Sequence, residues 1–102
     1  MSLKKQILKT KNVCKVTFSL SKDEVNNAAT VNLVGEFNEW NESKTPLKKF
    51  KNGNFKVTVD LEKGKNYQFK YLIDGETWIN DSSADSYIHN DFSGENSVVI
   101  TE

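Results

Sequence analysis

Transition-metal chemistry has almost nothing to work with in this 102-residue chain, which carries one cysteine, Cys14, and one histidine, His89. A zinc site needs several nitrogen or sulfur ligands at workable spacing, so no such site is expected. The lone Cys14 cannot close an internal disulfide, whereas small secreted domains usually carry several. That points to a reducing compartment, and we expect a cytoplasmic protein. Long apolar runs are missing as well. No stretch matches the apolar core of a signal peptide or approaches a membrane span. The sequons at Asn41 and Asn80 therefore carry no weight. Glycine is scarce, and its five copies sit singly in turns, so no phosphate-cradling loop can be drawn. No motif around His89 suggests a nucleophilic triad.

Charge of one sign is lacking too. Fourteen basic residues cancel fourteen acidic ones, leaving no overall field to attract nucleic acid or an anionic membrane, and neither is expected as a partner. The basic run of Lys4, Lys5, Lys9, Lys11 and Lys15 has none of the arginine and interleaved aromatics of a nucleic-acid surface. It reads as a solvated edge. Asp81, Asp85, Asp91 and Glu95 are oxygen ligands that calcium could use, but their spacing matches no EF-hand, and they read as a solvated acidic loop. Hydrolysis of a glycosidic bond needs two carboxylates about 5–10 Å apart across a cleft. A single small sandwich rarely encloses one. We expect no enzyme, no cofactor and no metal.

What is present is aromatic residues and a period of two. Aromatic content is 11%, and one ordinary domain accounts for the length. Val16, Phe18 and Leu20 alternate with Lys15, Thr17 and Ser19, the pattern of a half-buried strand over Val13–Leu20. Ser21 to Glu24 has the form of a capping box followed by at most one turn. Residues 30–37 give a second strand that ends at Gly35, and the only proline, Pro46, opens a short edge segment over 47–51. After the turn at Asn52-Gly53-Asn54, Phe55, Val57, Val59 and Leu61 alternate with Lys56, Thr58 and Asp60. Tyr67, Phe69, Tyr71 and Ile73 form the next inward set, Asp74-Gly75 marks a hairpin, and residues 76–79 return from it. Residues 80–96 read as a long polar loop, of the kind that is usually functional, before a closing strand over 97–101.

These segments predict an all-β, antiparallel sandwich of about seven strands spanning residues 13–102, with residues 1–12 as an N-terminal extension. Phe18, Leu33, Phe55, Val57, Val59, Phe69, Tyr71 and Val98 are the expected core, with Val57 and Val59 buried together. Two tryptophans stand in polar turns, Trp40 just after a strand end and Trp78 just after Asp74-Gly75. Each is either a partly buried packing residue or a platform for a ligand. An indole offers a broad electron-rich surface to the axial hydrogens of a pyranose, and nearby Lys and Asn can meet the hydroxyls.

Four stretches in order, Val34-Gly35-Glu36-Phe37-Asn38-Glu39-Trp40, then residues 67–75 (YQFKYLIDG), then Trp78, then Glu95-Asn96-Ser97-Val98-Val99, resemble carbohydrate-binding module family 48. That family includes the glycogen-binding domain of AMP-activated protein kinase β subunits and the early-set domains of isoamylases and branching enzymes. The resemblance implies an immunoglobulin-like sandwich that binds α-1,4-glucan (glycogen, starch or maltooligosaccharide), with a glucan-metabolising enzyme as a further partner. It puts Trp40 and Trp78 in stacking roles and Lys70 and Asn96 at the sugar hydroxyls. Phe92 falls where kinase-type domains place an apolar residue that enters the ring of a cyclic glucan. Phe37 falls in the core and Asn38 in the turn. The chain departs from the pattern at Thr77, an extra residue before Trp78, and at Gly94, where those domains have a hydrogen-bonding Thr. A scaffold or protein-interaction domain of the same fold, without sugar binding, is the alternative. Exposed indoles favour binding; buried ones favour the scaffold.

Overall fold

The structure, a computed structural model, describes residues 1–91 and 94–102. The alternation in β2 (Val13–Leu20) puts Cys14, Val16, Phe18 and Leu20 on one face, all buried. β5 (Phe55–Glu62) lies antiparallel to it with Leu20 opposite Phe55, Phe18 opposite Val57 and Cys14 opposite Leu61, so the apolar sets of both strands share that face. β1 (Ser2–Ile7) covers the other edge of β2, and the two-residue β4 (Lys48–Lys49) covers the start of β5. The first sheet thus has the order β1-β2-β5-β4.

The second sheet has the order β3-β6-β9-β8, formed by Val31–Gly35, Asn66–Ile73, Gly94–Ile100 and Ser86–Asn90, with β7 (Thr77–Ile79) also paired to β6. The two sheets meet through aromatic rings. Phe18 of the first sheet stands edge-on to Phe69 and Tyr71 of the second, at centroid distances of 5.2 and 6.5 Å, an arrangement that aromatic quadrupoles favour. Phe37 closes one end against Phe18 and Tyr67. Gly35 permits the close approach of β3 to β6: a Cβ there would meet the Gln68 carbonyl oxygen at 2.6 Å and the Phe69 Cβ at 2.8 Å.

The all-β antiparallel sandwich is as expected, but the described residues form nine strands rather than seven. One extra strand is β1, within the stretch expected to be an extension ahead of the sandwich. Its inward positions are Leu3, Lys5 and Ile7, and the lysine in the middle hides the alternation. Lys5 reaches across to Asp85, just ahead of β8, at 2.5 Å, an inward charge of the kind that blunts an edge strand. The other is β8, inside the stretch expected to be a loop. It is an edge strand almost wholly exposed, so no buried set betrays it.

The expected core needs one correction, at Val57 and Val59. Phe18, Leu33, Phe55, Phe69 and Tyr71 are buried in it, whereas Val57 and Val59 are only partly buried against it. β4 pairs with Lys56 and Phe55 and goes no further, which leaves the flank of β5 uncovered beside the two valines. Val98 is buried as expected, on the outer face of β6 opposite Gln68, while its neighbour Val99, opposite Tyr67, joins the inner cluster. With two adjacent valines, the phase of the alternation cannot be read from sequence. The Ser21 capping box does form. The Ser21 N–H donates to Glu24 Oε1 at 2.8 Å and the Glu24 N–H to Ser21 Oγ at 3.2 Å, and only turns follow.

Candidate functional site

β6 organises the site because its partners change along its length. Residues from Asn66 to Phe69 pair with β9, and residues from Tyr71 to Ile73 pair with β7 on the same flank. Lys70 sits at the changeover. On the other flank β3 runs alongside, with Val34 opposite Lys70 and Asn32 opposite Leu72. Since paired residues share a face, the outer face of this sheet carries Val34, Gln68, Lys70, Leu72, Trp78, Asn96 and Val98. Ile88 and Asn90 of β8 extend it.

Trp78 stands directly across from Leu72 and is 40% exposed. The hairpin that delivers it closes with Ile73 opposite Thr77, leaving Asp74, Gly75 and Glu76 as the loop. The extra residue is thus taken up in the turn, and Trp78 keeps the outward phase. Asp74 and Gly75 adopt positive φ, and Asp74 Oδ1 accepts the N–H groups of Ala29 and Thr30 at 2.8 and 2.9 Å, tying the turn to the start of β3.

Trp40 is also 40% exposed and follows the 3-10 turn Glu36–Asn38. Asn38 builds this corner. It is buried, its Nδ2 donates to the Leu33 carbonyl at 2.8 Å and to Thr45 Oγ1 at 3.0 Å, and its Oδ1 accepts the Gly35 N–H. The Trp40 N–H then returns to the Gly35 carbonyl at 2.8 Å, which fixes its backbone at the end of β3. Glu39 and Trp40 adopt φ of 60° and 57°. Left-handed backbone costs a residue with a side chain about 1–2 kcal/mol, and two in succession are held by the hydrogen bonds around them.

Lys70 projects to the outer face but is 94% covered, and its Nζ donates to the Glu95 carbonyl at 3.0 Å. Desolvation lowers its pKa from the ordinary lysine value. Asn96 is half-buried. Its Nδ2 donates to Gln68 Oε1 at 3.0 Å, and its Oδ1 accepts from Asn90 Nδ2 at 2.8 Å. Phe92, expected at this site, lies outside the described residues.

Segment 80–96 is anchored by a residue expected in a solvated acidic loop. Asp81 is fully buried. Its Oδ2 accepts the Tyr71 hydroxyl at 2.6 Å, its Oδ1 the Ser83 N–H at 2.7 Å, and its carbonyl the Tyr87 hydroxyl at 2.6 Å. Its own N–H donates to Ser97 Oγ, whose hydroxyl donates on to Asn80 Oδ1. Burial, with the Asp81 charge and hydrogen bond, holds the Tyr71 phenol well above its ordinary pKa. Asp85 is likewise engaged, by Lys5 and by the Ile100 N–H. Among the described residues no cluster could hold a metal ion.

Sequence reading missed the apolar floor of the outer face, where Val34, Leu72 and Val98 are all buried. The signal was available: adjacent apolar residues at Leu33-Val34, Tyr71-Leu72-Ile73 and Val98-Val99 mark strands covered on both sides. A hollow of about 340 Å³ lined by Leu20, Glu24, Phe50 and Phe55 lies away from this face.

The family model for the glycogen recognition site of AMP-activated protein kinase matches residues 16–101, nearly the whole chain. No curated protein matches it.

Proposed function

This chain belongs to the family of the glycogen recognition site of AMP-activated protein kinase, a family of non-catalytic glycogen-binding modules, and we propose that it holds an α-glucan chain on the outer face of its β3-β6-β9-β8 sheet. Trp40 and Trp78 stack on the pyranose rings, and Lys70 and Asn96 meet the hydroxyls. Phe92 joins them on the strength of the family resemblance. The observation that carries this reading is the pair of indoles, each 40% exposed, with Trp78 in the outward phase of β7 and Trp40 just past the end of β3 in the same sheet. The positive φ at Glu39 and Trp40 adds to it, since strained backbone that presents a large aromatic to solvent serves presentation rather than packing.

The chemistry suits a neutral, polyhydroxylated ligand. Indole faces take the apolar side of a sugar ring, while Lys70 supplies donors only and Asn96 both donors and acceptors. A binding module of this kind should hydrolyse neither starch nor glycogen nor maltooligosaccharides. Steady release of reducing sugar that vanishes on changing one Asp or Glu would refute that. The partners that fit are the glucan and an enzyme that acts on it, in the cytoplasm; among the described residues no helix is long and apolar enough to cross a membrane.

Calorimetry with maltoheptaose or β-cyclodextrin tests the site. Trp40→Ala and Trp78→Ala should each weaken binding by about 1–3 kcal/mol, by analogy with other stacking on aromatic side chains, and leave the folded signal intact. No binding by wild type at millimolar sugar, or wild-type affinity in both variants, would return the scaffold reading.

A further inference from the structure

Polar residues form a chain that runs from the turn after β3 across three strands. In the turn that carries Trp40, Glu36 Oε1 accepts the Gln68 backbone N–H at 2.6 Å. Gln68 Oε1 accepts from Asn96 Nδ2 at 3.0 Å, and Asn96 Oδ1 accepts from Asn90 Nδ2 at 2.8 Å. The chain thus runs from the corner at the end of β3, through β6 and β9, to the edge strand β8. A side-chain amide has two N–H donors and two carbonyl lone pairs. In Asn96 one of each is taken within the protein, by a partner on each side.

We propose that Gln68 and Asn90 are positioning residues that clamp the Asn96 amide in one orientation, so that it presents one N–H and one carbonyl lone pair side by side to a vicinal diol of the sugar. The inference rests on the glucan-binding reading and adds how that site selects its ligand. An adjacent donor and acceptor match two neighbouring hydroxyls, one accepting and one donating, whereas a freely rotating amide loses entropy on fixing. The clamp also has a sense. Asn90 must supply a donor and Gln68 an acceptor, so isosteric changes at these positions have predictable effects. Asn90→Asp places an oxygen against Asn96 Oδ1, pushing the amide to turn over. Gln68→Leu removes the acceptor.

A double-mutant cycle with β-cyclodextrin, read by calorimetry, tests this. Asn90→Asp and Gln68→Leu should each lower affinity by about 5- to 10-fold, the scale of one hydrogen bond. In an Asn96→Ala background each should change it by less than about 2-fold, because the residue they orient is gone. Wild-type affinity in either single variant, or equal losses with and without Asn96, would overturn the clamp. A merely structural role would lower the melting temperature and weaken binding in both backgrounds alike. Should a variant fail to fold, NMR of the wild type decides. One Nδ2 proton of Asn96 should be protected from exchange in the free protein and the other should shift when β-cyclodextrin is added; two freely exchanging protons would refute the proposal. If the wild type binds no sugar, the glucan reading falls, while the exchange measurement still reports whether the amide is held.

Discussion

The two outer faces of this sandwich are built from the same kind of strand and could hardly differ more. On the first sheet, Lys15, Thr17 and Ser19 of β2 and Lys56, Thr58 and Asp60 of β5 point outward, none of them buried, in strict alternation with apolar residues. On the second, Val34, Lys70, Leu72 and Val98 occupy the equivalent outward positions, and every one is buried. A face that only has to be wet needs polar side chains and nothing more. The second face has a floor of buried residues, and that floor interrupts the alternation of β3 and β6. The break in the pattern marks the face on which we propose the glucan lies.

The difference is testable by matched substitutions. Leu72→Ala, on the floor under Trp78, should cost about 2–5 kcal/mol in urea or thermal unfolding, as for a buried leucine. Thr58→Ala, in the outward phase of β5, should stay within about 0.5 kcal/mol. Equal costs at the two positions would mean that the second outer face is no more packed than the first.

A smaller effect is expected at Tyr71, which joins the core to segment 80–96 through its hydroxyl on Asp81. Tyr71→Phe removes a hydrogen bond to a buried carboxylate and should cost about 1.5–3 kcal/mol. It should also change how stability depends on pH. The folded phenol is held well above the ordinary 10.0, first by burial and then by Asp81. The unfolded phenol therefore loses its proton first, and stability present below pH 10 is lost as pH rises beyond it, by up to about 1.4 kcal/mol per pH unit. Urea midpoints at pH 8 and pH 11 should diverge more in wild type than in Tyr71→Phe. Parallel behaviour would mean that Tyr71 is not the group responsible.

Most of the sandwich was legible because its inner faces obey the period of two: Phe18, Phe55, Phe69 and Tyr71 were identifiable from alternation alone. The site was legible only through resemblance. Alternation places Lys70 outward, but it cannot tell that Lys70 ends up covered beside Glu95. The failures share a cause. β1 and β8 are edge strands, one with an inward lysine and one with almost no buried residue, so neither has a periodic apolar set. Asp81 looked like one acid among several, and nothing local says that a carboxylate will be buried; that depends on Tyr71, ten residues earlier in the chain and across the sheet. Trp40 needs a left-handed backbone that no local motif announces.

Lys70 should give an effect smaller still on stability, though not on binding. Its charge is desolvated, and its lowered pKa means that the fold disfavours its protonated form. That penalty is full below the folded pKa and fades as pH rises toward the ordinary 10.5. Removing the charge relieves that desolvation, and the Glu95 carbonyl that loses Nζ keeps a donor in Asn80 Nδ2. Lys70→Met should therefore leave the melting temperature unchanged or higher at pH 7, while lowering glucan affinity by about tenfold through loss of a charged donor. A large fall in melting temperature would make Lys70 a structural residue and remove it from the site.

The smallest effects belong to the charges of the first outer face. Lys15 and Asp60 pair at 2.9 Å, but their side chains are 42% and 59% exposed. Water and salt screen such a pair, and exposed pairs contribute about 0–1 kcal/mol. Lys56 lies on the same face opposite Ser19, beyond the Thr17–Thr58 pair, and is exposed. Lys15→Ala and Lys56→Ala should each change stability by less than about 0.5 kcal/mol. Neither should change glucan affinity under the proposed reading, in which a neutral ligand stacks on the other sheet. For the same reason, calorimetric affinity for maltoheptaose should be level between about 0.05 and 0.5 M salt, a range over which a binding site for a polyanion loses orders of magnitude. A steep salt slope, or a loss of sugar binding on removing Lys56, would place charge at the centre of recognition and move the ligand to the first outer face.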